Sequence, residues 1–486
     1  MTKRILFFYL FGVTMYFVGL VESAMLGGQG ICGVACLVIS AVAAFGFLSY
    51  LLVGRINVFN IAGYTTVLAY ILPLGWTLLW DPSPLKNDLN SYLLYGFEIL
   101  LMAFLVLLVG LRNKHDFEIS NYISSHSIRR SLPQFVLVGV CLAGFQAVLL
   151  SSQMWTYGSL SVTSEQASPI VLLAASITVG VSGLTGVVLG SLSRNIRLVG
   201  LPQLAAIAIT IGMLALQGIW WLPVGRRFFA AQMVIAIAAF WGARHDFRLS
   251  RKLVLSFCST IGFLIPVALL FGRIFIALRI LSWSRGGVGK IDLFELLSQL
   301  GQVDPSAVTT YEENAGSRAL ILESYATARQ YFSQPLGGLE MLTQIINSIP
   351  SFFFDKQWLL DSLGGVHERL WTNVSGIPFN DYAQTLMLEG FIDFTYLGFL
   401  AYVWVLSVVF KLLLKLTSNV AGAPILVLYF YGSIYMLVQV ESELSSFIAF
   451  FRASIGLVVF GAIVQLCFYV RPLHKAVSPP GLIPPT

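Results

Sequence analysis

Apolar runs of about 20 residues, the length that crosses a bilayer's hydrocarbon, recur along this chain. They fall near 4–20, 30–53, 57–80, 92–111, 135–154, 169–191, 198–218, 229–243, 253–272, 391–410, 419–440 and 447–470. Each predicts a helix, so the chain reads as an all-α polytopic integral membrane protein with about twelve transmembrane helices. The pattern changes between the ninth and tenth runs. Residues 284–390 are polar and carry a helical period of their own: Leu293, Leu296, Leu297 and Leu300 fall on one face of "DLFELLSQLG". In "DPSAVTTYEE", Asp304 stands as an N-cap before Pro305. In "SRALILESYATARQYFSQPLGG", Ala319, Leu322, Ala326 and Tyr331 recur at helical intervals. In "FNDYAQTLMLEG", Asn380 is the predicted cap and Gly390 the stop.

These readings divide the chain into transmembrane helices 1–9 (1–283), a helical lid on the membrane surface (284–390), helices 10–12 (391–472) and a disordered tail (473–486). The tail, "SPPGLIPPT", cannot build a core. At the start, "VESA" resembles a signal-peptide cleavage site, but the apolar run before it is long for one and a second follows, so an uncleaved first helix is predicted.

Composition agrees. Hydrophobic residues make up 57% of the 486 and charged residues only 11%, less than half the charge of a soluble domain; mean hydropathy is +0.82. The formal charge of +6 sets topology and is not a nucleic-acid footprint. Most of the basic residues sit in alternate loops, among them Arg55, Arg112, Arg194, Arg244, Lys411 and Arg471. That places both termini in the cytoplasm and the 284–390 lid outside. Cys32, Cys36, Cys141, Cys258 and Cys467 all lie in apolar stretches, a pattern of packing rather than of disulfides or metal ligation. No P-loop and no HExxH spacing occurs, and Gly180, Gly183, Gly186 and Gly190 read as a close helix contact.

The candidate chemistry collects on the outer side. Arg273, Arg279, Arg452, Glu441, Glu443, Glu98 and Asp393 all fall near that boundary, where an ionisable group needs a partner or a wet cavity. Arg452 with Glu98 or Glu441 is the plain ion-pair reading. The lid adds Arg285, Lys290, Arg318, Arg329, Lys356 and Arg369. Arg318 and Arg329 are eleven residues apart and share a helix face; Arg318 also sits at the helix start, where anions are favoured. His367, in "GGVHERLW", is the outer histidine; His115, His126, His245 and His474 fall on the other side. His367 needs only a bound hydroxyl and an orienting neighbour to act as a general base, and a surface-loop histidine is the bland alternative.

Three stretches resemble the Wzy-type O-antigen polymerase and O-antigen ligase superfamily. They are "VGRRFFAA" around Arg226 and Arg227, the Arg318-headed "SRALILESYATARQYFSQPLGG", and "FNDYAQTLMLEGFIDFTYLG". The third departs from the family's pattern, because Phe379 stands where many relatives have a histidine before Asn380. His367 is the replacement candidate, with Glu368 and Asp381 as fallback bases. The resemblance implies a glycosyltransferase needing no metal or cofactor and acting on undecaprenyl-diphosphate-linked glycan at the periplasmic face of a bacterial inner membrane. Arg226, Arg227, Arg318, Arg273 and Arg452 would then stabilise the diphosphate, and Arg329, Asn380 and Glu389 would contact substrate in the lid. Polymerisation of repeat units is the leading activity. Transfer to lipid A core is the close alternative, and a flippase the alternative of another class. Beyond the lipid-linked glycan and the bilayer, a chain-length regulator is a candidate partner.

Overall fold

The computed structural model describes residues 2–80, 85, 88–113, 116–124, 127–128, 131–151, 178–194, 200–224, 226–264, 266, 298, 301, 303–304, 306, 321–349, 356–363, 368–377 and 384–468. Among these the regular structure is helical apart from one two-residue β ladder, Arg55–Ile56 against Phe117–Glu118. Among the described residues six helical stretches are long and apolar enough to cross a membrane: Ile5–Leu26, Gly30–Val53, Val58–Trp80, Leu89–Arg112, Leu386–Val420 and Leu444–Leu466. Shorter apolar helices lie at Leu132–Ala147, Val181–Ser193, Gln203–Leu216, Ala230–Arg244 and Gly422–Val438. Phe7, Phe8, Phe11 and Phe17 point outward from the first helix. So much exposed apolar surface is what a lipid-facing helix carries.

Buried polar groups decide how the helices meet. Tyr9 and Tyr16, seven residues apart on the Thr2–Leu26 helix, donate their hydroxyls to the carbonyls of Leu100 and Leu93 at 3.1 and 2.8 Å. Both tyrosines are almost fully buried. A buried phenol has to find an acceptor, so this pair fixes the antiparallel register with the Leu89–Arg112 helix. The Gly30–Val53 helix ends at Gly54, whose φ of 64° supplies the left-handed cap. The chain then enters the ladder, where Arg55 pairs with Glu118. Asn57 restarts the helix by accepting from the Asn60 amide. A π turn at Val67–Ile71 lies just before Pro73, which has no amide proton for the regular ladder.

Glycine permits the closest approaches. Side chains on Gly186 and Gly190 would collide with the Ala236 and Phe240 carbonyls, and on Gly180 and Gly183 with Leu428 and Tyr431. The Val181–Ser193 helix is thereby wedged between the Arg226–Arg244 and Gly422–Val438 helices, as the glycine spacing predicts.

The run predicted at 391–410 is built differently. A short helix, Leu386–Phe394, is followed by a 3-10 turn, Thr395–Leu397, and then by the Gly398–Val420 helix. Thr395 has a φ of 61°, rare for a β-branched residue, and it turns the chain between the two helices. The predicted lid boundary at 390 falls inside the short helix, whose residues Leu386 to Asp393 are all buried. Its cap is Thr385, whose hydroxyl accepts from the Leu388 amide at 3.1 Å, and not Asn380. Gly390 is not a stop but a contact: a Cβ there would stand 2.6 Å from the Gly398 carbonyl carbon.

Replacing Gly398 by alanine drives its methyl group into the Gly390 carbonyl. Thermal unfolding in detergent is expected to show a loss of about 3 kcal/mol or more, since backbone on both sides has nowhere to move. Gly144→Ala, at an open helical position, should be neutral or stabilising by up to about 1 kcal/mol.

Candidate functional site

Carboxylates stitch the described residues of 321–377 to the long apolar helices. Asp393 makes the main joint. Its Oδ1 accepts from the amides of Gly338 (3.1 Å) and Glu340 (3.0 Å). Its Oδ2 accepts from the amide of Met341 (3.0 Å) and the hydroxyl of Tyr402 (2.9 Å). The amides belong to the first turn of the Leu339–Ser348 helix, which has no side-chain cap of its own. Asp393 therefore caps that helix from 52 to 55 residues away, placing a negative group at the positive end of the dipole. The joint continues in the main chain, where the amides of Leu336 and Gly337 donate to the carbonyls of Ile392 and Asp393 at 3.0 and 2.8 Å. The "PLGG" turn makes this possible, with Gly337 and Gly338 at φ 66° and 96°.

Two more carboxylates are buried beside it. Glu340 accepts from the Gln344 side chain (2.9 Å) on one oxygen and from the Trp371 indole (3.0 Å) on the other. Glu389, one helical turn before Asp393, accepts from the Leu444 amide at 3.0 Å with Oε2, while its Oε1 is buried with no hydrogen-bond partner among the described residues. Nearby, a cavity of about 30 Å³ lies among Tyr70, Thr385, Gln439 and Ser442. Tyr70 and Thr385 share a hydrogen bond of 2.6 Å there.

The Ile321–Tyr331 helix lies against the Leu89–Arg112 helix. It buries Leu322, Tyr325, Ala326 and Ala328, whereas Tyr331, predicted for the same face, is half exposed. Tyr325 donates to Glu98 at 3.1 Å, and burial beside that carboxylate pushes its phenol above the ordinary range. Arg329 lies 3.9 Å from Glu98, donates to the Tyr396 hydroxyl at 2.6 Å, and stands 5.5 Å over the Phe391 ring. Burial works against its charge, but Glu98, Tyr396 and Tyr325 together outweigh burial and raise the guanidinium above its ordinary value. Arg329 thus belongs to an internal ion pair that docks the Ile321–Tyr331 helix on the Leu89–Arg112 helix. The pairing predicted for Arg452 with Glu98 or Glu441 is not formed.

Arg452 instead lies on the Leu444–Phe468 helix and donates to the Ser348 carbonyl at 3.0 Å. Lys356 donates to the neighbouring Asn347 carbonyl at 2.8 Å. Both cations therefore converge on the C-terminal end of the Leu339–Ser348 helix, the negative end of its dipole. Among the described residues neither has a carboxylate partner. Backbone carbonyls hold the two heads in place without neutralising them, an arrangement suited to a bound anion.

The remaining sequence-predicted positions are less defined. Arg226 and Arg227 open the Arg226–Arg244 helix, and Glu368 opens Glu368–Leu370; their side chains are outside the described set. Arg273, Arg318, His367, Asn380 and Asp381 lie outside the described residues. The anchoring roles of Glu340, Tyr402, Trp371 and Thr385 are absent from the sequence reading. Only the i, i+4 spacing of Glu340 and Gln344 hinted at one of them. No protein-family model, no curated protein and no solved structure matches the chain.

Asp393→Ala leaves three amides and a phenol without their acceptor, at a cost of about 3 kcal/mol or more. Hydrogen exchange should quicken at Gly338, Glu340 and Met341 while the core of the Gly398–Val420 helix stays protected. A double-mutant cycle of Glu98→Gln and Arg329→Gln is expected to give a coupling near 1 kcal/mol, measured by thermal unfolding.

Proposed function

We propose that this chain is a glycosyltransferase of the bacterial inner membrane that joins undecaprenyl-diphosphate-linked repeat units into polymer on the periplasmic side. The reading takes the twelve predicted spans, both termini in the cytoplasm, and residues 284–390 as the outer lid. The observation that carries it is the pair of cations at one helix end: Arg452, embedded in an apolar helix, and Lys356, from the lid. An arginine at that depth is costly unless it serves a partner, and its bond to a single carbonyl leaves most of its donors for a ligand.

In the proposed reaction an acceptor hydroxyl oxygen attacks the anomeric carbon of the donor sugar. The bond from that carbon to the lipid diphosphate breaks, and the electron pair leaves with the diphosphate. Arg452 and Lys356 meet the growing negative charge on the phosphate oxygens, with Arg318, Arg273, Arg226 and Arg227 as further candidates. The hydroxyl proton passes to a base, for which His367 is the first candidate and Glu368 and Asp381 the next. Asn380 and Glu389 are candidates for holding the acceptor glycan. The docked lid, fixed by Asp393 and by Glu98 with Arg329, would hold that glycan over a donor whose lipid tail stays among the helices.

Arg452→Ala should lower chain extension by about tenfold or more, as for loss of one charge-assisted hydrogen bond to phosphate, with Arg452→Lys recovering part of it. The assay is polymer length on lipid-linked substrate in membranes that contain equal amounts of protein. Normal-length polymer from Arg452→Ala would overturn the assignment. A strain lacking the protein should accumulate single repeat units; unligated lipid-linked polymer would instead mark a ligase.

A further inference from the structure

The end of the bundle away from the lid holds a second polar site. The Gly398–Val420 helix starts beside the Asp393 joint, so Lys415 stands about 26 Å further along its axis at 1.5 Å per residue. There, a cavity of about 390 Å³ opens between that helix, the start of the Val58–Thr66 helix, and Asn113, Asp116, Phe117 and Tyr122. Pockets for small ligands run from roughly 300 to 1,000 Å³, so this one has room for a phosphate with a glycerol-sized group.

Its chemistry favours an anion. Lys411 and Lys415 line it one turn apart, and among the described residues the one lining carboxylate is Asp116, whose Oδ1 accepts from the Asn57 side chain at 2.7 Å. Asn57, Val58 and Phe59 form the opposite wall. They are the cap and first turn of a helix, where the dipole is positive and the first amides have no partner within the helix. Phe117, Phe410 and Leu414 add an apolar lining.

The same helix says from which side the ligand comes. Its exposed apolar residues are Trp404, Val408, Leu412, Leu416 and Val420, a stripe with a period of four. The cavity-lining residues Ser407, Lys411, Lys415 and Asn419 form a parallel stripe one residue earlier, about 100° round the helix. The lysines thus border the surface that faces the hydrocarbon. A molecule with its charged head in the cavity can lay an acyl chain along the neighbouring stripe. Basic pockets between membrane helices select anionic lipid headgroups for this reason.

We propose that this cavity binds the phosphate-bearing headgroup of an anionic glycerophospholipid, with its acyl chains on the Trp404-to-Val420 stripe. It needs nothing from the glycosyltransferase reading, which concerns the other end of the bundle. The test uses the purified full-length protein in a neutral maltoside detergent. Dioleoyl-phosphatidylglycerol, dioleoyl-phosphatidylcholine and glycerol 3-phosphate are titrated separately, with the unfolding midpoint and lipid retained in native mass spectrometry as readouts. Phosphatidylglycerol is expected to bind and raise the midpoint, and the other two to do neither. The double variant Lys411→Gln, Lys415→Gln replaces two exposed side chains, so its lipid-free midpoint should hold, while its affinity for phosphatidylglycerol falls by about tenfold to thirtyfold. Ser407→Phe keeps both lysines but fills the cavity, and should lose binding too. Undiminished affinity in either variant would overturn the proposal. So would an equal effect of glycerol 3-phosphate, which would mark a soluble phosphate ligand, or of phosphatidylcholine, which would mark unselective lipid solvation.

Discussion

The joint that ties the 336–348 segment to the Leu386–Phe394 helix is one carboxylate with four donors. Asp393 collects three amides and a phenol. A backbone amide withdrawn from water has to find an acceptor within the protein. The turn at 336–338 cannot satisfy its own amides, because its glycines are left-handed and the helix that follows brings no capping side chain. Asp393 and the carbonyls of Ile392 and Asp393 complete it from another element. A second seam runs beside it: Ser333 donates its amide and its hydroxyl to the Ser375 carbonyl, and Ser375 returns its hydroxyl to Gln334. The polar segment is held by directional bonds in a region where apolar burial alone would not select one register.

The joint also explains the packing beneath it. The Leu386–Phe394 helix has to stay close to the Gly398–Val420 helix so that Tyr402 can reach Asp393 across nine residues. Gly390 and Gly398 allow that approach, since neither tolerates a Cβ. Thr395 absorbs the turn with an uncommon φ, and such strain persists only where the surroundings over-determine it. Glu389 comes along with this geometry. Facing the same way as Asp393 one turn earlier, it is carried inside with one oxygen bonded to Leu444 and the other unsatisfied among the described residues.

Much of this architecture was legible because hydropathy runs are local. The predicted runs at 30–53, 57–80 and 92–111 lie within a few residues of Gly30–Val53, Val58–Trp80 and Leu89–Arg112. The glycine row from Gly180 to Gly190 reads as packing because only packing uses that spacing in an apolar helix. The partners of charged residues were not legible. Glu98 and Arg329 are 231 residues apart, and nothing near either names the other. Asn380 looked like the cap since it precedes a helical pattern, yet Thr385 is nearer the first buried turn. Asp393 and Arg452 stand out as ionisable groups beside apolar runs, which identifies an expensive residue without saying what compensates it. For Asp393 the compensation is structural; for Arg452 it is one carbonyl, much less than a guanidinium can use.

That difference separates anchors from candidates for chemistry. Arg329 is enclosed by Glu98, Tyr396 and the Phe391 ring, so its charge is already answered within the fold. Arg452 and Lys356 meet only main-chain carbonyls among the described residues, and carbonyls orient a cation without cancelling it. At the other end of the Gly398–Val420 helix, Lys411 and Lys415 line a cavity in which Asp116 is the one lining carboxylate among the described residues. In a chain with so few charges, a cation oriented only by main-chain carbonyls at a helix end is a cost that packing does not recover. An anion would offset it, and phosphates carried on apolar chains are the anions that both proposals invoke.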